Sequence, residues 1–135
     1  MEDKPILEHV GTYEDYKFAV IFQPLGYRCG YVQVPHWHNF YEEDYDDIPV
    51  RCHGGLTYSS HWFLDKKYPG WWIGFDCAHA GDAVDKESLA KYYEQELVSD
   101  FFIPNSSIGG YPTVKTLDYC IAECKSIIDQ LVDME

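Results

Sequence analysis

Basic residues are scarce in this sequence, which has ten Lys and Arg against 23 Asp and Glu and a formal net charge of −13. A field of that sign repels phosphate backbones at long range. We therefore expect no direct binding to a nucleic-acid backbone. Long apolar runs are also lacking, since no run approaches the roughly 20 residues that a bilayer-spanning helix requires. We therefore expect no membrane partner.

The sequence also lacks the repeated cysteine spacing of a disulfide scaffold. It has five cysteines, an odd number, and their positions follow no such pattern. The first ten residues, MEDKPILEHV, are charged and have no apolar core, so they do not match a signal peptide. These observations favour a reducing cytosolic setting with free thiols.

Length and composition indicate one folded domain over residues 1–135, with 46% hydrophobic and 17% aromatic residues. Alternating and β-branched segments predict strands, whereas apolar residues at three- and four-residue spacing predict helices. The predicted strands are residues 6–10, 17–22, 27–34, 56–63 and a segment starting at 71, and the predicted helices are residues 85–99 and 116–134. Because strands come first and helices last, we expect an α+β fold, an antiparallel sheet of about five strands packed by one or two C-terminal helices.

Two segments carry most of the chemically active residues. In Gly70–Asp82, GWWIGFDCAHAGD, a strand with large apolar side chains on both faces ends in a group of titratable residues. In Arg51–Ser60, RCHGGLTYSS, a histidine precedes two glycines, which permit a tight turn or a close backbone approach. A buried strand that ends among titratable groups with small neighbours indicates the wall of a site.

A metal site is the first hypothesis that these residues raise. His36 and His38 form an H-x-H pair, and Cys77 and His79 form a C-x-H pair. The established spacings H-E-x-x-H and C-x-x-C are absent. We therefore expect no metal and no cofactor, and keep a metal-dependent hydrolase as the alternative. Its residues would be His36, His38, His53, Cys77, His79 and Asp82.

Nucleophilic catalysis by Cys77 is the second hypothesis. A histidine, His79 or His53, would activate the thiol, and a carboxylate, Asp76 or Asp82, would orient that histidine. Cysteines at the end of a buried strand more often serve packing alone. We therefore assign no catalytic residue and leave open whether the protein is an enzyme.

Binding without covalent chemistry accounts for more of the unusual composition. The glycine turn offers backbone donors to a phosphate or ribose, aromatic rings can stack on a base, an arginine can pair with a phosphate, and carboxylates can accept from hydroxyls. The predicted ligand-binding residues are Arg28, Tyr31, His53, Gly54, Gly55, Thr57, Tyr58, Trp71, Trp72, Asp76, His79 and Asp82.

The motifs CGYVQVP, YDDI, HGGLTYS and GWWIGFDCAHAGD resemble those of a group of small bacteriophage- and prophage-encoded proteins without an established activity. The resemblance covers residues 26–82 and the TLDYCIAECKSI helix. The matching residues are Arg28, Cys29, Gly30, Tyr31, Tyr45, Asp46, Asp47, His53, Gly54, Gly55, Thr57, Tyr58, Trp71, Trp72, Asp76, Cys77, His79 and Asp82. A phage setting implies a host-cell cytosolic location and a host-defence antagonist, some of which sequester nucleotide signals between protomers.

These observations together predict a homo-oligomeric, non-catalytic protein that sequesters a small nucleotide-derived ligand, in the manner of a phage counter-defence sponge. One alternative is the metal-dependent hydrolase. The other is an acidic inhibitor whose face, centred on Glu42–Asp47, occupies the basic groove of a host defence nuclease.

Overall fold

A computed structural model describes residues 4–64, 66, 68–93 and 113–135. Five strands form one antiparallel sheet in the order β1-β2-β3-β5-β4. They are β1 (Ile6–Tyr13), β2 (Tyr16–Phe22), β3 (Arg28–Val34), β4 (Tyr58–Phe63) and β5 (Tyr68–Asp76). The C-terminal helix packs on this sheet, which confirms the predicted α+β fold.

The remaining elements are short, apart from that helix. They are a 3-10 turn at Tyr45–Asp47, the two-residue strands β6 (Asp82–Ala83) and β7 (Thr113–Val114), and the helices α1 (Lys86–Tyr93) and α2 (Leu117–Asp133). Strands β6 and β7 pair in parallel. The last six residues of the first predicted helix, 94–99, lie outside the described residues. Neither helix that the structure describes is long and apolar enough to cross a membrane.

Strand β5 connects the two halves of the sheet. Hairpins join β1 to β2, β2 to β3 and β4 to β5. All five strands form one sheet because β5 pairs with β3, and in this pairing Asp76 lies opposite Cys29 and Trp71 opposite Val34. Because β3 and β4 both run antiparallel to β5, residues 35–57 must return along the length of the sheet, beside α2, before the chain enters β4 at the edge. This pairing brings the end of β5 beside the start of β3.

Helix α2 covers one face of the sheet. Thr116 is its N-cap, because the Thr116 hydroxyl accepts a hydrogen bond from the backbone N of Tyr119. Its apolar stripe is buried against β2, β3 and β5. The buried residues of this stripe are Cys120, Cys124, Ile127, Ile128 and Leu131. The opposite face of the sheet has its own smaller core, formed by Ala19, Ile21, Cys29, Tyr31, Phe63 and Trp72.

Candidate functional site

A group of polar side chains lies where the end of β5, the segment before β4 and the first turns of α2 meet. Three contacts fix His53 there. Its backbone N donates to Glu123 Oε1 at 2.7 Å, its Nδ1 lies 2.8 Å from the Tyr119 hydroxyl, and its Nε2 lies 2.9 Å from both carboxylate oxygens of Asp82. The imidazole of His53 is therefore held between helix α2 and the loop that follows β5.

Asp82 is the charged centre of this group, and its side chain is only 3% exposed. Burial alone would raise the pKa of Asp82. Hydrogen bonds from His53, from the backbone N of His79 and from Lys115 outweigh burial, so the pKa of Asp82 is lowered from 3.8. Because an ionised carboxylate can only accept, Nε2 of His53 carries a proton in this arrangement. In a neutral ring, Nδ1 of His53 then accepts from Tyr119.

His79 is the exposed member of the group, with 37% of its side chain accessible. Its Nδ1 lies 3.4 Å from Asp76 Oδ1 and 3.9 Å from Asp82 Oδ2. The ring lies against Gly54, where a Cβ would approach the His79 Cε1 to 2.4 Å. Gly54 also has a φ of +69°, a conformation that favours glycine, so a side chain there would be strained and would displace the His79 ring. Gly54 therefore determines where the His79 ring can lie.

Asp76 is positioned by two hydrogen bonds at the end of β5. The backbone N of Ala78 donates to Asp76 Oδ1 and the hydroxyl of Thr57 donates to Asp76 Oδ2, each at 3.1 Å. We refer to His53, Asp76, His79 and Asp82 as the His–Asp cluster. All four residues were among the predicted ligand-binding residues, together with the adjacent Gly54, Gly55 and Thr57.

Sequence reasoning missed three residues that support the His–Asp cluster. Tyr119 and Glu123 come from α2, and Lys115 precedes that helix and contacts Asp82 Oδ1 at 3.1 Å. Tyr119 and Glu123 are four residues apart, so both lie on one side of α2. That spacing was visible in the sequence, but no local signal connected this side of the helix with His53.

The predicted stacking residues lie elsewhere. Trp71 and Trp72 lie five and four residues before Asp76 along β5, or about 17 and 13 Å from it at the rise of a strand. They point to opposite faces, and their indole N–H groups donate to the backbone oxygens of Glu43 and Pro69. Tyr31 is stacked on Phe63, and Tyr58 contacts Tyr31 edge-on, both on the face opposite α2. The structure does not bring these rings to the His–Asp cluster.

Arg28 is buried among protein partners, with 5% of its side chain exposed. Its Nε and Nη2 donate to the two carboxylate oxygens of Glu8 at 2.6 and 3.1 Å, and its Nη1 donates to Asp85 at 2.9 Å. Further bonds reach the Lys115 carbonyl and the Ser88 hydroxyl. The guanidinium therefore has a structural role, because it ties the start of β3 to β1 and to the start of α1.

The histidines of the H-x-H pair are not part of the cluster. His38 is 4% exposed, its Nε2 lies 2.8 Å from the Leu131 carbonyl, and its Nδ1 accepts from the backbone N of Phe40. Leu131 and Tyr119 are twelve residues apart on α2, or about 18 Å along the helix axis. His36 precedes His38 by two residues and lines a groove beside Trp37. The hydrolase alternative therefore keeps only His53, His79 and Asp82 as ligands that lie together.

Cys77 lies beneath the cluster in the core under α2. Its Sγ is 3.7 Å from the Cys120 Sγ, and the residue is 3% exposed. The hydrogen bond with Cys120 and burial both raise the pKa of the Cys77 thiol. A buried thiol with a raised pKa is a poor nucleophile, because the thiolate is the reactive form. The geometry thus does not favour covalent catalysis by Cys77.

Comparisons of the chain with protein-family models, with curated proteins and with solved structures found no match. The resemblance to phage-encoded proteins therefore stays a prediction. The function is therefore inferred from the geometry of the cluster.

The role of Asp82 can be tested through the pH dependence of stability. A carboxyl whose folded pKa is lowered stabilises the fold above its unfolded pKa, near 3.8, and loses that contribution as the pH falls through its folded value. We expect Asp82→Asn to lower the free energy of unfolding by about 1–3 kcal/mol at pH 7, and by less at pH 3. Urea unfolding at both pH values measures this.

The control for this variant is Asp46→Asn, because Asp46 is exposed in the 3-10 turn. We expect it to change the free energy of unfolding by less than about 0.5 kcal/mol at either pH. An Asp82→Asn loss that was equal at pH 7 and pH 3 would show that charge on Asp82 is not what stabilises this region.

Proposed function

We propose that the chain binds a small polar ligand at the His–Asp cluster and holds it without covalent chemistry. One observation carries the proposal: residues from two distant segments, 53–57 and 76–82, converge with fixed side-chain positions on the start of α2. His79 remains partly exposed at this point and can be reached from solvent. Side chains held in this way need little ordering when a ligand binds, which favours affinity.

The charges of the cluster favour some ligand groups over others. Asp76, Asp82 and Glu123 surround His53 and His79, and Lys115 is the cation in direct contact with Asp82. Carboxylates accept hydrogen bonds from hydroxyl and amino groups, whereas they repel a phosphate brought into contact with them. The cluster by itself therefore suits a hydroxyl-rich group such as a ribose better than a phosphate. A nucleotide-derived ligand stays the prediction made from the sequence, and in this proposal the cluster contacts the sugar of that ligand.

Holding without turnover is the second part of the proposal. Cys77 is buried and contacts Cys120, and both ring nitrogens of His53 contact protein groups. A side chain with fixed partners is better suited to positioning a ligand than to exchanging protons with it. The hydrolase alternative predicts instead that the ligand is recovered as cleaved products. A counter-defence role would mean that the ligand is a signal of the host's defence, and it would leave the way the ligand is bound unchanged.

Two adjacent glycines provide a matched test of the site. We expect Gly54→Ala to lower the retention of a bound ligand by at least about 10-fold, because its Cβ would displace the His79 ring. Gly55→Ala imposes a similar backbone strain, since Gly55 has a φ of +82°, but its Cβ would meet nothing within 4 Å. We expect Gly55→Ala to retain the ligand.

The measurement uses a panel of adenosine, ADP-ribose and free ribose, incubated with the purified full chain. Bound molecules are released by heat and identified by mass spectrometry. Intact ligand from the wild type and from Gly55→Ala, with little from Gly54→Ala, would support the proposal. Recovery of none of the panel, equal retention by both variants, or recovery of cleaved products alone would contradict it.

A further inference from the structure

We propose that the His–Asp cluster binds a divalent transition-metal ion of the zinc class, with His53, His79 and Asp82 as its protein ligands. This inference rests on the proposed function, because it gives the same site a resident cation. It goes beyond that proposal by assigning a metal to residues whose sequence spacing predicted none.

The separations of the candidate ligand atoms carry the inference. One ligand atom from each of the three residues can be chosen so that all lie within 4.8 Å of one another. Asp82 Oδ2 is 2.9 Å from His53 Nε2 and 3.9 Å from His79 Nδ1. In a tetrahedral zinc site with bonds of about 2.1 Å, neighbouring ligand atoms are about 3.4 Å apart. The observed distances fall on either side of that value, so small side-chain movements would suffice.

The chemical identity of the three residues selects the class of ion. Two imidazoles and one carboxylate form a donor set typical of zinc sites that keep an open fourth position. Calcium and magnesium prefer oxygen ligands alone, so two imidazoles argue against them. The partial exposure of His79 leaves that fourth position accessible to water or to a ligand group.

His53 also has the outer partner that metal-bound histidines usually have, because its Nδ1 faces the Tyr119 hydroxyl at 2.8 Å. Asp76 Oδ1 lies 3.4 Å from His79 Nδ1, so its negative charge would attract an ion bound at that nitrogen. For Nε2 of His53 to bind a metal, its proton must move to Nδ1. The Tyr119 hydroxyl can then accept where it donated before, because a hydroxyl serves in either role. The hydrogen bond between His53 and Tyr119 is thus kept with its direction reversed, while the metal replaces the proton between His53 Nε2 and Asp82.

A bound cation would also neutralise the excess negative charge at this site. Asp76, Asp82 and Glu123 give the cluster an excess of negative charge that Lys115 offsets only in part. Lys115 is held to one side, because its Nζ also contacts Thr113 Oγ1 at 2.6 Å and approaches Oδ1 of Asp82. Oδ2 of Asp82 remains directed toward the two imidazoles. A divalent ion there would allow a phosphate or carboxylate to approach.

The inference is tested by titrating zinc chloride into the full chain after treatment with a chelator. Isothermal calorimetry should show one site per chain in the wild type, and saturating zinc should raise the melting temperature. We expect His79→Ala and Asp82→Asn each to weaken zinc binding by at least about 100-fold, and Asp76→Asn by about 10-fold. His79→Ala removes an exposed ring, and circular dichroism checks that each variant remains folded.

The matched control is His61→Ala. His61 is an exposed histidine on β4, 3.2 Å from the carboxylate of Glu42, so it resembles the His79–Asp76 pair outside the cluster. We expect its zinc affinity to equal that of the wild type. Absence of zinc binding in the wild type, or unchanged affinity in folded His79→Ala and Asp82→Asn, would overturn the inference.

The two proposals can fail separately. If zinc does not bind, but the wild type retains a ligand of the panel that Gly54→Ala loses, the metal inference fails and the proposed function stands. If zinc binds with the expected variant pattern but no panel ligand is retained with or without it, the metal inference stands and the proposed function fails.

Discussion

Replacing Arg28 with methionine is expected to lower the free energy of unfolding by about 3–5 kcal/mol, because it leaves the buried carboxylate of Glu8 without its cation and with only the Tyr92 hydroxyl as a donor. Arg28 and Glu8 are 5% and 3% exposed, and the guanidinium contacts both oxygens of Glu8. Asp85 would lose a partner at 2.9 Å as well, although Ser88 still donates to it. Urea unfolding followed by tryptophan fluorescence measures the change, which is a large part of the total stability of a small domain.

A second variant separates the loss of the ion pair from the loss of packing. In Arg28→Met with Glu8→Leu, the more deeply buried of the two carboxylates is removed, and a buried pair replaced by apolar side chains is often close to neutral. We therefore expect the double variant to recover at least half of the loss. The control Lys17→Met changes an exposed cation on β2 and should alter stability by less than about 0.5 kcal/mol. A change below about 1 kcal/mol in Arg28→Met would contradict the structural role of Arg28.

The contact between Arg28 and Glu8 also shows what sequence reasoning could not find. The pairing of β1 with β2 shifts register between Leu7 and His9, so Glu8 is the extra residue of a bulge. Bulges redirect side chains, and Glu8 reaches Arg28 although β2 lies between their strands. In the sequence, Glu8 belongs to an ordinary short strand. With no partner visible for it in the sequence, Arg28 was therefore predicted to pair with a phosphate.

The fold was predictable because its signals are local. Alternating apolar residues predicted the strands, and apolar residues at three- and four-residue spacing predicted α2. The pairing of β3 with β5 was not predictable in this way. It joins segments about 40 residues apart, and hydrophobic alternation does not specify a partner strand.

The candidate site was predictable only in part, for the same reason. Small and polar residues around His53 and His79 identified two segments, and the structure brings those segments together. The aromatic residues were harder to place, because Trp71 and Trp72 are neighbours in sequence but point to opposite faces of a strand. Their rings and indole groups find partners within the sheet and loops. A strand rich in tryptophan predicts burial more reliably than a stacking surface.

Replacing Gly30 with alanine is the second change expected to have a large effect, a loss of about 3 kcal/mol in the free energy of unfolding. Gly30 lies in β3 beneath α2, where a Cβ would meet Phe75 ring carbons at 2.4 and 2.5 Å and the Cys124 sulfur at 2.9 Å. Phe75 is 1% exposed and Cys124 is fully buried, so neither can move into solvent. The added methyl group must push α2 away from the sheet or force Phe75 out of its rotamer. Urea unfolding of the variant measures the cost.

A double-mutant cycle with Phe75→Leu identifies the cause of that loss. Phe75→Leu alone should lower stability because it leaves a cavity, but in the Gly30→Ala background it makes room for the new methyl group. We therefore expect the double variant to be more stable than the sum of the two single losses predicts, by at least about 1 kcal/mol. Additive losses would mean that the alanine acts through strand conformation and not through contact with Phe75. Because α2 also carries Tyr119 and Glu123 to His53, displacement of the helix should weaken ligand retention in Gly30→Ala, and Phe75→Leu should restore it.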